Sequence, residues 1–312
     1  MKKNILFIGG AGFIGSAVIR EMVEAEEYNN QIYILEPESA NLQRLDGIPV
    51  RVYRGDISNI ELIADIIEKK EISTIVHLVS TMVPGSGYDE YKKEFENVIF
   101  PTVRLMQLCS RMNVKFVYFS SGGTVYGERK TLKPFVETDP KEPISYYGLS
   151  KQMIENSVLF ENRVSNLRYL ILRPSNPYGR GQNIYGRQGL IAVAIGKVLA
   201  GEPVVIWGDG NTVRDFIYID DLAKIVAKLL DNRADNMIVN IGSNMGYSIN
   251  EVMEMLNDIA DEDLKLNYLP SRKNDVSNMI LDTTIMKSLV DINLTPLRLG
   301  LSRFYEYEKR RK

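Results

Sequence analysis

Asn4-Ile5-Leu6-Phe7-Ile8-Gly9-Gly10-Ala11-Gly12-Phe13-Ile14-Gly15 is the stretch on which the fold turns. A short, nearly continuous apolar run reads as a strand buried on both faces. It runs into Gly9, Gly12 and Gly15, spaced G-x-x-G-x-x-G. A tight turn needs a residue free to take positive φ. Close approach of the backbone to a pyrophosphate leaves no room for a side chain, and the helix that follows, opened by Phe13 and Ile14, offers unpaired N–H groups to an anion. The reading is a dinucleotide-binding strand–turn–helix. Two lysines precede the apolar run, as in a signal peptide, but the glycines break it and no small-residue cleavage site follows before the charged segment that starts at Glu21.

The same texture continues outward. Strand-like runs occupy 31–35, 49–53, 74–78 and 115–119, with helical stretches at 13–26, 58–69 and 90–112 between them. This alternation predicts a doubly wound parallel sheet. Ser58, with Glu61 three residues on, reads as a capping box, and Pro101 is expected to kink or divide its helix. A helix over 146–163 leads to a strand over 167–173, and residues 174–189, with four Gly and two Pro in sixteen, read as a loop. A helix at 189–200, strands at 204–207 and near 214–218, and a helix from Asp220 follow. The fold class expected is α/β: a Rossmann-type domain over 1–173 carrying the catalytic helix, and a smaller α/β substrate lobe over 174–312 that sends segments back to the sheet.

Composition narrows the function. A net charge of −2 and a pI near 5.8 point to neither nucleic acid nor membrane as partner. The apolar run 190–200 is too short for a bilayer and contains Lys197, so a cytoplasmic protein is expected. One cysteine, Cys109, and one histidine, His77, preclude an internal disulfide and a Cys/His metal cluster, and both read as core residues.

Glu36 ends the second strand roughly twenty positions past the glycines. A carboxylate there can accept both adenosine-ribose hydroxyls and repels a 2′-phosphate, and no basic residue follows until Arg44, so NAD is expected over NADP. Asp56 and Ile57 suit the adenine amine and ring, and Leu78, Val79 and Ser80 follow the fourth strand at the edge where such sheets bind ligands. Tyr147 and Lys151 stand four apart on one helix face. A tyrosine of pKa about 10 is a poor base at neutral pH; a neighbouring ammonium favours the phenolate, and the lysine can also hold the nicotinamide ribose.

These motifs occur in order across nearly the whole chain, with Ser120-Ser121-Gly122-Gly123-Thr124-Val125-Tyr126-Gly127, Arg173-Pro174-Ser175-Asn176-Pro177-Tyr178-Gly179 and Val213-Arg214-Asp215-Phe216 between and after them. The chain resembles the extended short-chain dehydrogenase/reductase family, within it the UDP-glucose 4-epimerase-like enzymes. The resemblance implies NAD contacts that include Asn97, Ser120 and Pro174. It implies a nucleotide-diphosphate sugar as substrate, met by Asn176, Gln188, Trp207 at the nucleobase, and Arg214 and Arg272 at the diphosphate, with Asp215 orienting Arg214. It also implies pairing of two chains through the helices near 90–112 and 146–163. Two departures matter. Gly122 stands where the family has the Ser or Thr that meets the sugar 4-oxygen, so Thr124 or Ser121 is expected to supply that hydroxyl, directly or through water. Gly123 and Thr124 stand where 4,6-dehydratases of the family carry Asp and Glu, which argues against dehydration. The expectation is a 4-epimerase acting through a 4-keto sugar; a nucleotide-linked 4-keto-6-deoxysugar reductase would share the motifs. Keeping both Tyr147 and Lys151 argues against a protein that merely senses NAD.

Overall fold

The computed structural model describes residues 4–25, 31–186, 188–231, 234–261, 263–271 and 276–312. In chain order the elements are β1 (Asn4–Ile8), α1 (Phe13–Glu24), β2 (Ile32–Glu36), β3 (Arg51–Arg54), α2 (Ile60–Lys69), β4 (Ile72–His77), α3 (Tyr88–Glu94), α4 (Phe100–Arg111), β5 (Lys115–Phe119), the single turn α5 (Gly122–Val125), α6 (Tyr146–Ser165) and β6 (Tyr169–Pro174). After these come β7 (Asn176–Tyr178), α7 (Leu190–Ala200), β8 (Val204–Trp207), β9 (Val213–Tyr218), α8 (Ile219–Asp231), β10 (Met237–Ile241), β11 (Gly246–Ser248), α9 (Ile249–Ala260), β12 (Leu266–Leu269), β13 (Asn278–Met279), α10 (Thr284–Leu289) and α11 (Leu297–Lys309).

Seven strands pair in parallel in the order β10-β6-β5-β4-β1-β2-β3, the doubly wound arrangement read from the sequence. Successive side chains of a strand face opposite sides. Ile5 and Phe7 of β1 therefore pack with Val18, Ile19 and Met22 of α1 and Leu222 and Val226 of α8. Leu6 and Ile8 pack with Ile63 and Ile66 of α2, Leu105 and Cys109 of α4, and Ile154 and Val158 of α6. Both faces are covered, which is why the strands read as unbroken apolar runs. The winding direction reverses between β1 and β4, so the loops after these two strands diverge and leave a crevice at the carboxyl edge of the sheet.

Two local readings are corrected, and a third is borne out. Asn59, not Ser58, caps α2: its side chain accepts the Leu62 N–H at 3.1 Å, while the Ser58 N–H is turned onto Asp56. The glycine-rich segment after Arg173 is not all loop, because β7 pairs with β9 and extends a small second sheet of β11, β9 and β13. The helix 90–112 is divided, as expected of Pro101, into two helices joined by a π turn over Phe95–Ile99. Pro101 accounts for it: the residue lacks an N–H for the Asn97 carbonyl and its ring would strike that carbonyl, so the chain widens by one residue and the Phe100 N–H bonds Phe95 O instead.

β10 returns to the main sheet beside β6, and a buried polar brace crosses from α6 through β6 toward it. Glu155 of α6 takes two hydrogen bonds from Arg173 of β6, at 2.9 and 2.7 Å, and a third from Lys141 at 3.0 Å. Arg173 also donates to the Tyr126 hydroxyl, which donates to Asn240 of β10. Burial works to raise the Glu155 carboxyl, but the Arg173 contacts outweigh it and hold the group below its ordinary value. Removing one partner of such a pair strands the other's charge in the interior. Arg173→Met is expected to lower unfolding free energy by about 3–5 kcal/mol, read as a lower urea midpoint; an unchanged midpoint would show that Lys141 alone suffices for Glu155.

Candidate active site

A cleft of about 690 Å³ opens at the carboxyl edge of the sheet. Its floor is the turn Gly9–Gly15, and its walls are Leu78 and Ser80 after β4, Ser120, Ser121 and Thr124 after β5, Tyr147 and Lys151 of α6, Pro174 at the end of β6 and Asn176 at the start of β7. Gln188 and Arg214 line the far end.

The three motif glycines have different reasons. Gly9 takes φ +82°, and a Cβ at Gly15 would lie 2.5 Å from the Gly10 carbonyl oxygen, so both serve the turn itself. Gly12 has ordinary extended backbone, φ −68° and ψ 177°, and a Cβ there would meet only the Gly9 carbonyl oxygen at 3.7 Å. The fold would accept a side chain at Gly12. What it would obstruct is the approach of a ligand to the first turn of α1, where no side chain caps the free N–H groups. The residues present thus fit a dinucleotide diphosphate. Phe13 and Ile14 also line the cleft. Glu36 is buried and its carboxylate accepts the Ala11 N–H at 2.6 Å, which ties the end of β2 to the turn. Burial raises its carboxyl, partly offset by that hydrogen bond and by Arg54.

Not every expected cofactor residue faces this cleft. Glu36, Asp56, Ile57, Val79 and Asn97 lie outside its lining. Ile57 is buried, Asp56 and Asn97 are exposed, and Val79 packs against Gly9, beneath the turn. Ser120 reaches the cleft, but its hydroxyl donates to Glu155 at 2.5 Å and belongs to the brace.

Tyr147 and Lys151 meet in the middle of the cleft. The Lys151 Nζ donates to the Phe119 carbonyl at 3.1 Å and stands 5.5 Å from the Tyr147 ring centre. Burial pushes the Tyr147 phenol up to about 12, and a hydrogen bond with Ser121 pulls it back. Burial depresses Lys151 to about 8, against the opposing charges of Glu94 and Glu155. In the protein alone the group that eases Tyr147 toward its phenolate is therefore Ser121, since the lysine is occupied by a carbonyl and itself destabilised by burial. Of the two hydroxyls expected here, Ser121 is the one engaged with Tyr147. A side chain at Gly122 would force its neighbours to shift, because a Cβ there would lie 2.6 Å from a Leu281 methyl and 3.0 Å from the Arg173 carbonyl. The Thr124 hydroxyl is buried without a hydrogen-bond partner among the described residues.

Sequence reasoning missed Glu94. The carboxylate is buried at the end of α3, accepting from Ser80 Oγ at 3.0 Å, Thr81 N at 2.9 Å and Thr81 Oγ1 at 2.5 Å. It fixes the loop after β4 and places a negative charge near Tyr147 and Lys151. Its signal was a charged residue on an otherwise apolar stripe with Tyr91, Val98 and Ile99. His77 is wholly buried, its Nε2 2.9 Å from the Thr102 hydroxyl, and burial with the nearby Lys151 charge lowers it to about 3, so it is neutral and offers no base.

Toward the far end, Asn176 lines the cleft while its amide donates to the Asp215 carbonyl at 2.8 Å. Asp215 does not orient Arg214. Neighbours on a strand face opposite ways, and the Asp215 carboxylate is buried on Ser243, Asn244 and Leu281. Trp207 ends β8, which pairs with β12, and lies outside the cleft lining. Arg272 lies outside the described residues. Among the described residues there is no group of three or more His, Cys, Asp or Glu side chains that could hold a metal, and no helix long and apolar enough to cross a membrane.

A doubly wound sheet with a diphosphate-binding turn at its switch point, and a Tyr–Lys pair with a serine hydroxyl beside it, define an NAD-dependent enzyme of the extended short-chain dehydrogenase/reductase type. The chain belongs to the NAD dependent epimerase/dehydratase family, whose sequence profile matches residues 5–242. It is 31% identical over 306 residues, 98% of each chain, to a protein of Methanocaldococcus jannaschii provisionally described as a UDP-glucose 4-epimerase. It is 31% identical over 305 residues to the dTDP-4-dehydro-6-deoxyglucose reductase of Escherichia coli, covering 95% of this chain and 93% of the relative. The crystal structure of UDP-glucose 4-epimerase with UDP-glucose from Thermotoga maritima superposes with a TM-score of 0.90 at 32% identity, over 99% of both chains.

Two outcomes test this geometry. Gly12→Ala is expected to keep the wild-type melting temperature of the cofactor-free protein yet bind NAD at least about tenfold more weakly by calorimetry; equal affinity would detach Gly12 from the ligand. Because Glu94 raises the pKa of Lys151, Glu94→Gln should move the Lys151 limb of the kcat/KM pH profile to lower pH. A limb that stays put would mean Glu94 only fixes the loop.

Proposed function

We propose that the protein is an NAD-dependent 4-epimerase of a nucleotide-activated hexose, with UDP-glucose and UDP-galactose the first pair to try. The observation that carries this reading is the charge of the cleft. Among the described residues that line it there are three cations, Arg44 toward the glycine turn, Lys151 at the centre and Arg214 at the far end, and no carboxylate. Such a lining suits two diphosphates meeting at one reacting carbon, with arginine's planar fork matched to phosphate oxygens.

NAD, when bound, supplies the acceptor and the returning donor of hydride at sugar C4 and a positive charge that favours the Tyr147 phenolate. Tyr147 takes the 4-hydroxyl proton and returns it after the 4-keto sugar has turned in the site. Ser121 holds the Tyr147 oxygen and stands ready for the sugar 4-oxygen. Lys151 keeps the centre positive. Asn176 and Arg214 hold the remote part of the substrate, so binding energy is spent away from the carbon that must turn over. Dehydration lacks its acid–base pair at Gly123 and Thr124.

A second reading, reduction of a nucleotide-linked 4-keto-6-deoxysugar, is favoured by the Escherichia coli relative and by Gly122. The two differ in what becomes of the cofactor. Purified protein denatured and assayed for nucleotide is expected to release one NAD per chain and, before denaturation, to interconvert UDP-galactose and UDP-glucose with no added cofactor. Tyr147→Phe should retain NAD and lose turnover by about 10²-fold or more. Protein that purifies empty, and consumes NADH or NADPH only with a 4-keto-6-deoxysugar nucleotide, would replace the epimerase with the reductase.

A further inference from the structure

Arg44 sits in the 3₁₀ turn Gln43–Leu45 between β2 and β3, far in sequence from the catalytic residues. Its Nε donates to the carbonyl of Gly181, in the loop that runs from β7 to α7, at 3.0 Å. Its own carbonyl accepts from Arg20 of α1 at 3.2 Å, which fixes the turn against the helix whose first residues floor the cleft. Phe13, Arg44, Gln182 and Asn183 line both the cleft and a second hollow of about 930 Å³ on its outer side, so they form the wall between the two.

The rest of the Arg44 fork is uncommitted: among the described residues neither Nη makes a hydrogen bond, and no carboxylate pairs with it. The nearby acids are engaged or turned away. Asp220 pairs with Arg180 at 3.0 Å, and Asp46 lines the outer hollow only. A half-buried guanidinium with one N–H spent on a loop carbonyl, lining the same cleft as Gly12 and the first residues of α1, is suited to an anion lying along the glycine turn. The adenosine 2′-position is a poor candidate for that anion, because Glu36, pinned to Ala11, brings a carboxylate to the end of β2.

We propose that Arg44 binds the diphosphate of the dinucleotide through its outer nitrogens while its Nε holds Gly181, so that one side chain fastens both the cofactor and the loop over it and retains the cofactor between turnovers. This rests on the reading that the cofactor is recycled in place, but its test needs no sugar nucleotide. Gly181 takes φ +84°, a conformation open to glycine, which lets the loop present a carbonyl to the arginine.

NAD-loaded enzyme is chased with excess labelled NAD and the release rate measured for wild type, Arg44→Ala and Arg44→Lys. ADP-ribose and adenosine are then titrated by competition into cofactor-stripped protein. A charge-assisted contact predicts release about tenfold or more faster in Arg44→Ala, with Arg44→Lys between the two. It also predicts weaker ADP-ribose binding with adenosine unchanged. Release at the wild-type rate overturns the proposal, and so does an equal loss for ADP-ribose and adenosine, which would make Arg44 a brace for the loop alone. Failure of the epimerase reading would show separately, as wild-type protein that leaves UDP-galactose untouched.

Discussion

The pairing of Glu155 with Arg173 is the constraint on which the site is hung. Glu155 follows Lys151 by one helical turn, and Arg173 is the penultimate residue of β6, just before Pro174 and shortly before Asn176 opens β7. The same carboxylate takes the Ser120 hydroxyl, one residue before Ser121. Three chain segments that carry chemistry, the loop after β5, the first half of α6 and the segment after β6, are thus fixed to one ion pair in a dry interior. An ion pair so placed contributes little net stability compared with apolar packing, but it tolerates few alternative arrangements. Its benefit here is register: the Tyr147 oxygen, the Ser121 hydroxyl and the Asn176 amide hold their places relative to one another because their anchors do.

Charge around Lys151 is arranged by depth. The lining of the cleft is cationic, while Glu94 and Glu155 lie in the interior beneath it. Burial alone would drive Lys151 to shed its proton, and the two carboxylates oppose that. Tyr147 faces the opposite demand, because a buried phenol resists ionisation and Glu94 adds to the resistance. In the protein alone the two carboxylates thus favour the charged lysine, and Glu94 favours the neutral phenol as well.

Much of this was legible beforehand, and the limits have physical causes. The parallel sheet could be read because strands covered on both faces write unbroken apolar runs, and the glycine turn because its spacing reflects local backbone geometry. Boundaries slipped where two polar residues compete for one cap, as at Ser58 and Asn59. β7 went unread because its partner lies beyond the next helix and strand. The departure at Gly122 was visible, but its reason was not: Leu281, more than 150 positions on, fills the space a side chain would need. Asp215 was misread because adjacency along a strand was taken for proximity of side chains. Glu94, Arg44 and the Glu155 brace depend on contacts between distant segments, and no local pattern carries those.

The π turn ahead of Pro101 bears on how this site can vary. A helix that gains one residue in a turn rotates everything upstream by about 100° relative to a continuous α-helix. The inward aim of Glu94 is therefore a matter of phase, set seven residues downstream by a ring that cannot accept an ordinary helical carbonyl. Replacing the proline removes the reason for the wide turn, and a straight helix would carry the carboxylate around toward solvent without any change at Glu94 itself. Glu94 and Pro101 are thus coupled through the phase of the helix, although the two side chains perform unrelated tasks.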